Sequence, residues 1–317
     1  MSQSKETTVL ALTVLITAAL AGGGYWFFTN QPKSDSISFT GGESHSNVSP
    51  NAALKELDLS QPNPTVLKTD GSTTMVATMQ QLRTAFNQQY PNVPMTYGVP
   101  DNSPTGSGGG IKNLIHDQVS LAASSRSLKP EEAQYNIQMI PIAKDSVAVV
   151  VGINNSFKGG LTLAQLRDIY TGKITNWSEV GGISAPIRVI NRHSSSGTQD
   201  FFKEVVLLGG KFAPDSSQFI TWSKDETTAI LRDLGDNSIS YATTSQVVNQ
   251  EIVRIIPIDG VLPTDQNAIK SGKYPISRNL FLAVKKKTSP AVKQFLEFVL
   301  SPQGQEIVKR TGFMPIN

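Results

Sequence analysis

A chain of 317 residues, 38% of them apolar and 17% charged, is long enough for one large or two medium folded domains and too apolar to stay disordered. The net charge of +3 is spread without a basic block, so no nucleic-acid partner is expected. The absence of cysteine excludes disulfides, thiolate metal sites and a cysteine lipid anchor, and three histidines without an H-E-x-x-H spacing argue against a zinc enzyme.

Thr7–Phe28 is a run of 22 residues without a charge. As a helix it would reach about 33 Å, enough to cross a bilayer's hydrocarbon core. Tyr25, Trp26, Phe27 and Phe28 stand at one end, as an interfacial aromatic belt would. Residues 1–29 therefore read as an N-terminal transmembrane helix, an anchor or uncleaved signal. The alternative is a signal peptide cleaved near Ala19–Ala21. The body is then expected outside the plasma (inner) membrane, anchored on its periplasmic or extracellular side, or secreted if the segment is removed. Residues 30–64, rich in Ser, Asn, Pro and Gly, read as a flexible linker that contains His45.

From Thr65 the pattern alternates strand and helix. TVLKTD, VPMTYGV, VSLAASS, DSVAVVVG, IRVIN, SISYA, RIIPI and NLFLAV read as strands, and DSVAVVVG is apolar throughout, which predicts burial on both faces. Met75, Met79, Leu82 and Phe86 share one helical face, and so do Val292, Phe295, Phe298 and Val299. The spacing also predicts a helix over LTLAQLRDIYTG, started by Thr162 and stopped at Gly172. Trp177 reads as a packing anchor. The alternation argues for α/β layering around a parallel sheet.

Three loops look alike. TDGSTT, TGSGGG and HSSSGT each follow a predicted strand, combine Gly with Ser or Thr, and open a helix. A helix start has unsatisfied N–H donors and a partial positive charge, glycine lets backbone approach a ligand, and hydroxyls add donors. In a parallel sheet such turns share the carboxyl edge, where ligands bind. Taken singly, each is an ordinary helix cap. Three together, with Arg192 beside the last, point to an oxyanion site. None matches G-x-x-x-x-G-K-[ST], so a P-loop nucleotide site is excluded.

The motifs DGSTT, GSGGGIKNLI, LTLAQLRDIYTGKITNWSEVGG, RHSSSGT, YPISRNLFLAV and SPQGQEIVKRTGFMPI occur in this order from about Thr65 to Asn317. On them the body resembles the phosphate-binding proteins of ABC-type phosphate importers, within the type II periplasmic-binding-protein family. The resemblance implies two α/β lobes with an anion held in the cleft between them, joined by strands crossing near DSVAVVVGI and SRNLFLAV. Lobe one would comprise 65–148 plus 279–317, and lobe two 149–278. It implies a non-enzymatic solute-binding protein without a cofactor. Its partners would be inorganic phosphate or a similar oxyanion, the importer's permease subunits, and the membrane through the N-terminal helix. The ligand residues it implies are Ser72, Thr73 and Thr74 from the first loop, then Ser107 from the second, or Gly108 if the register slips by one. The last loop would give Arg192, Ser196, Gly197 and Thr198.

Two departures bear on the ligand. The best-known members place after VDFGAS an Asp that accepts a hydrogen bond from protonated phosphate. Here Ser125 stands at that place, with Arg126 next to it. A carboxylate only accepts and so rejects fully ionised sulfate. Ser125 can donate or accept, and Arg126 would attract either anion, so selectivity among phosphate, sulfate, molybdate and tungstate is open. Asp70 is a candidate replacement acceptor, although a turn role before the helix is its simpler reading. Second, Ser194 stands where those members place an acid that pairs with the Arg, which would leave Arg192 freer for the ligand. The rival functions are a tethered oxyanion sensor or surface interaction protein of the same fold, and a phosphoester hydrolase using the serine cluster with His193. The hydrolase lacks a G-x-S-x-G elbow.

Overall fold

The computed structural model describes residues 49–98 and 102–316. The predicted transmembrane helix, most of the linker and His45 lie outside the described residues. Among those described, no helix is long and apolar enough to cross a membrane.

The described residues form nine strands: β1 Leu67–Gly71, β2 Met95–Tyr97, β3 Leu121–Ser124, β4 Ile137–Gly152, β5 Arg188–Asn191, β6 Phe219–Thr221, β7 Ser238–Thr243, β8 Val253–Ile256 and β9 Ser277–Lys285. Their order is β2-β1-β3-β9-β4-β7-β5-β6, with β8 on the other side of β4. The strand–helix–strand units run parallel, as the alternation predicts: β1 with β2 and β3, and β5 with β6 and β7. The parallel pairing expected from the alternation does not extend to β4 and β9. These pair antiparallel from Ile137–Lys285 to Ser146–Ser277, because one strand leaves the first half of the molecule as the other returns to it. Beyond Ser146, β4 continues and pairs instead with β7 and β8. One 16-residue strand thus belongs to both halves.

β4 is longer than DSVAVVVG suggests. Its first part, IQMIPIAK, contains Pro141, which cannot donate to a ladder, and the register shifts between Pro141 and Ala143. A bulge accommodates the proline there. In its second part Val147, Val149 and Val151 face one core while Ala148 and Val150 face another, which is why the run is continuously apolar.

The apolar core divides at the same place. One cluster draws on residues up to Ala143 and from Leu280 onward, including Met75, Met79, Leu82, Phe86 and Phe295. Another spans Val147 to Ile276 and includes Tyr170, Trp177, Phe202 and Tyr241. Trp177 stacks on Phe157 with centroids 4.9 Å apart and donates from Nε1 to the Asn237 carbonyl, the anchoring role expected of it. Thr162 caps the Leu163–Tyr170 helix, its hydroxyl accepting from the Gln165 N–H, and Gly172 beyond that helix takes a left-handed φ of 79°.

The expected linker ends earlier than Pro64. Pro50–Lys55 is helical, Ala53, Leu54 and Leu57 join the first core, and the Asp58 N–H donates to the Lys286 carbonyl. A short apolar set inside a Ser/Asn/Pro-rich stretch carries too little periodicity to be read as structure.

Candidate anion-binding site

The three turns lie at the carboxyl ends of the parallel strands and meet where the two halves touch. The first turn follows β1 with one 3-10 turn, Thr73–Met75, that leads into the Val76–Gln89 helix. The second opens the Gly106–Ile115 helix and the third the Gly197–Val205 helix. Contact between them is direct. The Thr74 and Thr198 hydroxyls are 3.1 Å apart. A Cβ added at Gly197 would lie 2.3 Å from Ser107 Oγ and 2.6 Å from Ser125 Oγ, and one at Gly106, whose φ is +80°, would lie 2.7 Å from the Ser195 carbonyl oxygen. Glycine is needed at both places because backbone from one half packs on the other.

Ser72, Thr74, Ser107, Ser125, Arg126, Arg192, Ser196 and Thr198 are all buried, while Thr73 and Gly108 are half-buried. The Ser107 hydroxyl accepts from the Ser125 N–H at 3.0 Å and lies 3.1 Å from the Ser125 hydroxyl, so Ser125 belongs to the cluster. A Cβ on Gly108 would be 3.7 Å from the Ser195 carbonyl oxygen, whereas the Ser107 side chain faces Gly197. The Ser72 N–H is committed to the Ala123 carbonyl and its own carbonyl accepts from Tyr97.

Arg192 is 1% exposed. It donates from Nε to Ser196 Oγ at 2.9 Å, from Nη1 to Thr227 Oγ1 at 2.9 Å and from Nη2 to Asp225 Oδ1 at 2.5 Å. The expectation that Ser194 leaves Arg192 without an acid is therefore corrected: Asp225, distant in sequence, takes that place. Its other carboxylate oxygen accepts from Thr73 Oγ1 at 2.7 Å, joining the first turn to the opposite half. Gln246 closes the ring, accepting from Thr227 and donating to the Thr73 carbonyl.

Arg126 is placed beside the cluster with its charge matched. Its guanidinium forks onto Glu132 at 2.7 and 2.8 Å, donates to the Ser127 carbonyl, and has Asp200 Oδ2 2.9 Å from Nε. Burial favours neutral Arg126, but Glu132 and Asp200 outweigh it and raise its pKa. Burial likewise opposes ionisation of Glu132, yet its bonds from Arg126 and from the Lys129 N–H hold it below the usual carboxylate range. Asp70 is not a spare acceptor. It lies within β1 and accepts from the Thr105 N–H, the Thr105 hydroxyl and Asn113 Nδ2, so it fixes the second turn rather than acting as a turn residue before its own helix.

Sequence reasoning missed Asp225, Arg278 and Asp145. Arg278 and Asp145 are register partners on β9 and β4, and Arg278 Nε donates to Asp145 at 2.9 Å. The Arg278 guanidinium also reaches the Ser125 carbonyl at 3.0 Å, Thr198 Oγ1 at 3.0 Å and Thr74 Oγ1 at 3.5 Å. Thr243 donates to the remaining Asp145 oxygen. Burial is the first influence on both charges, raising the Asp145 pKa and lowering that of Arg278. A signal was available: each is a single charge opening a continuously apolar strand, and buried charges require partners. Asp225 sits in a polar loop with no pattern to mark it.

Every guanidinium at the site thus has a carboxylate beside it. Attraction for an anion must come from aimed hydroxyls, helix-start N–H groups and a water-poor surrounding rather than from excess charge. His193 accepts from the Ser195 N–H two residues on, and its ring nitrogen lies 2.8 Å from that residue's hydroxyl, a turn closed on itself at the rim. A groove of about 960 Å³, lined by Lys68, Asp117, Lys285 and Lys286 among others, lies at the opposite end of the first sheet's strands, away from all three turns.

Comparison with known proteins agrees with this architecture. Residues 59–303 match the model of the PBP superfamily domain. The chain belongs to this superfamily. A putative phosphate ABC transporter substrate-binding protein from Clostridium perfringens, solved with bound phosphate, is 32% identical with a TM-score of 0.70, covering 80% of this chain and 100% of that one. An ABC-type phosphate transport receptor from Vibrio cholerae is 25% identical with a TM-score of 0.66, covering 78% and 99%. The phosphate-binding protein PstS of Borreliella burgdorferi is 29% identical over 263 residues, 81% of this chain and 92% of its own length. The likeness to phosphate-binding proteins read from the motifs is met, and the three relatives named above are binding proteins or transport receptors rather than enzymes.

Proposed function

We propose that this chain is an extracytoplasmic solute-binding protein that closes two lobes around phosphate and presents it to an ABC-type importer. Lobe one would be about 50–146 with 277–317 and lobe two about 147–276, a shift from the expected bounds that the segregated cores and the shared crossing strands support. The uncharged N-terminal run would tether the body to the membrane.

The observation that carries the reading is the meeting of three strand-to-helix turns from both halves, Thr74 on Thr198 and Gly197 on Ser107 and Ser125. A tetrahedral oxyanion offers acceptors in several directions. Ser107, Ser196 and at least one of Thr74 and Thr198 would donate from hydroxyls, Gly197 from its N–H, and Arg192 from its fork, while the Thr73 hydroxyl, whose hydrogen goes to Asp225, would hold that carboxylate in place. Ser72, Ser125, Gly108 and Arg126 would form the surrounding wall. Asp225 supplies the carboxylate that Ser125 does not, and favours an oxyanion that still carries a proton. The phosphate held by the Clostridium perfringens relative supports the choice of ligand. Contact with both lobes favours the closed form, so binding drives closure.

Isothermal titration of the full-length chain with phosphate, sulfate, molybdate and tungstate tests this reading. Phosphate is expected to bind most tightly, and heat from none of the four would refute it. Co-purification with a permease would separate transport from surface sensing.

A further inference from the structure

The hinge strand reaches into the site. Arg278 is the second residue of β9, opposite Asp145 on β4, at the point where β4 passes from one half to the other. Its side chain is 2% exposed. One planar group touches three separate segments: Thr74 of the first turn, Ser125 at the end of β3, and Thr198 of the third turn. Thr74 and Ser125 belong to the first half and Thr198 to the second.

The chemistry of these contacts has a direction. Guanidinium can only donate, so Arg278 fills an acceptor lone pair on Thr198 and, at longer range, on Thr74. Each hydroxyl keeps one hydrogen, and neither can return it to Arg278. The two oxygens are 3.1 Å apart, so at most one hydrogen lies between them and at least one must point elsewhere. We infer that Arg278 is a positioning residue which fills acceptor lone pairs on the Thr74 and Thr198 hydroxyls so that at least one of the pair must serve as a donor to the bound oxyanion, and that it does so only when the lobes are closed. A donor held by a charged N–H is polarised and is a stronger partner for an anion. Asp145 holds the guanidinium plane in place from the hinge. Arg126, which is nearer the helix starts in sequence, is committed to Glu132 and Asp200 and cannot take this part.

This inference rests on the phosphate-binding reading, and the test separates the two. Phosphate titrations of the full-length chain would compare wild type, Arg192→Ala, Arg278→Gln, Thr198→Val and the Arg278→Gln/Thr198→Val double variant, with thermal unfolding run on each. Arg278→Gln is expected to weaken phosphate roughly 30-fold and Thr198→Val about 10-fold. The double variant should stay within about threefold of Arg278→Gln alone, because one acts through the other. Additive losses, or an unchanged affinity in Arg278→Gln while Arg192→Ala loses binding, would overturn the inference and leave the site reading intact. A wild type that binds no phosphate would overturn both. If Arg278→Gln fails to fold, Arg278→Lys keeps the charge but not the fork. It is then expected to bind about tenfold more weakly without a matching change in the affinity of Thr198→Val background, whereas full wild-type affinity in the lysine variant would also overturn the inference.

Discussion

Replacing Gly197 by alanine adds one methyl group at the place where the two halves touch. The new Cβ would sit 2.3 Å from Ser107 Oγ and 2.7 Å from Ser107 Cβ, against an ordinary contact of at least 3.4 Å, so the approach is about 1.1 Å too close. Ser107 cannot rotate away, since its own Cβ is part of the clash and its hydroxyl accepts from the Ser125 N–H. Gly197 is the first residue of its helix and carries no left-handed φ, so alanine there does not strain the open form. The methyl group acts on closure alone. Holding the lobes apart by that distance removes hydrogen bonds that the ligand makes to the far side, each worth about 1.5–3 kcal/mol when one partner is charged. Two such bonds amount to roughly 3–6 kcal/mol, or about 10²- to 10⁴-fold in affinity. Titration with phosphate would give the loss, and small-angle scattering would report whether ligand still compacts the molecule. Binding within about threefold of wild type, with normal compaction, would refute the closed geometry derived from these turns.

Removing the Arg192 guanidinium should cost about 2–5 kcal/mol of phosphate affinity, because Asp225 is then buried beside the ligand without its cation; equal affinity in Arg192→Ala would count against this placement. In Asp225→Asn the carboxylate that repels fully ionised anions is gone, so sulfate should gain on phosphate in competitive titration, and an unchanged ratio would remove Asp225 from the selectivity argument. Glu132 ionises more readily when folded than when unfolded, so its contribution to stability is complete above the unfolded pKa of about 4.3 and fades as pH falls through the lower folded value. Urea midpoints of wild type and Glu132→Gln should therefore differ most above pH 5 and converge below pH 4. A constant difference across that range would contradict the pairing with Arg126.

The strands were legible where an apolar run ended in a Gly/Ser turn, and the three helix starts were legible for the same reason, since capping chemistry is local. The first part of β4 was obscured by Pro141, which argues against a strand unless a bulge absorbs it. The Pro50–Lys55 helix was hidden in polar sequence, because its burial depends on β4 and the Pro290–Leu300 helix rather than on its own periodicity. Within the site, Thr74, Ser107, Arg192 and Thr198 could be named from their motifs. Asp225 and Arg278 could not, because their role comes from contacts made across the whole chain. Arg126 illustrates the converse: position in the sequence suggested a ligand cation, and only the fold brings Glu132 and Asp200 against it.

The antiparallel pairing of β4 with β9 has a consequence for engineering. Ser146 and Ser277 stand opposite each other, so everything between them departs from and returns to neighbouring points on one ladder. Half of the protein is in effect a cassette spliced into a hairpin. Exchange of that cassette between members of the superfamily, cut at these two serines, would recombine one set of anion donors with another while leaving the host's apolar interior uncut.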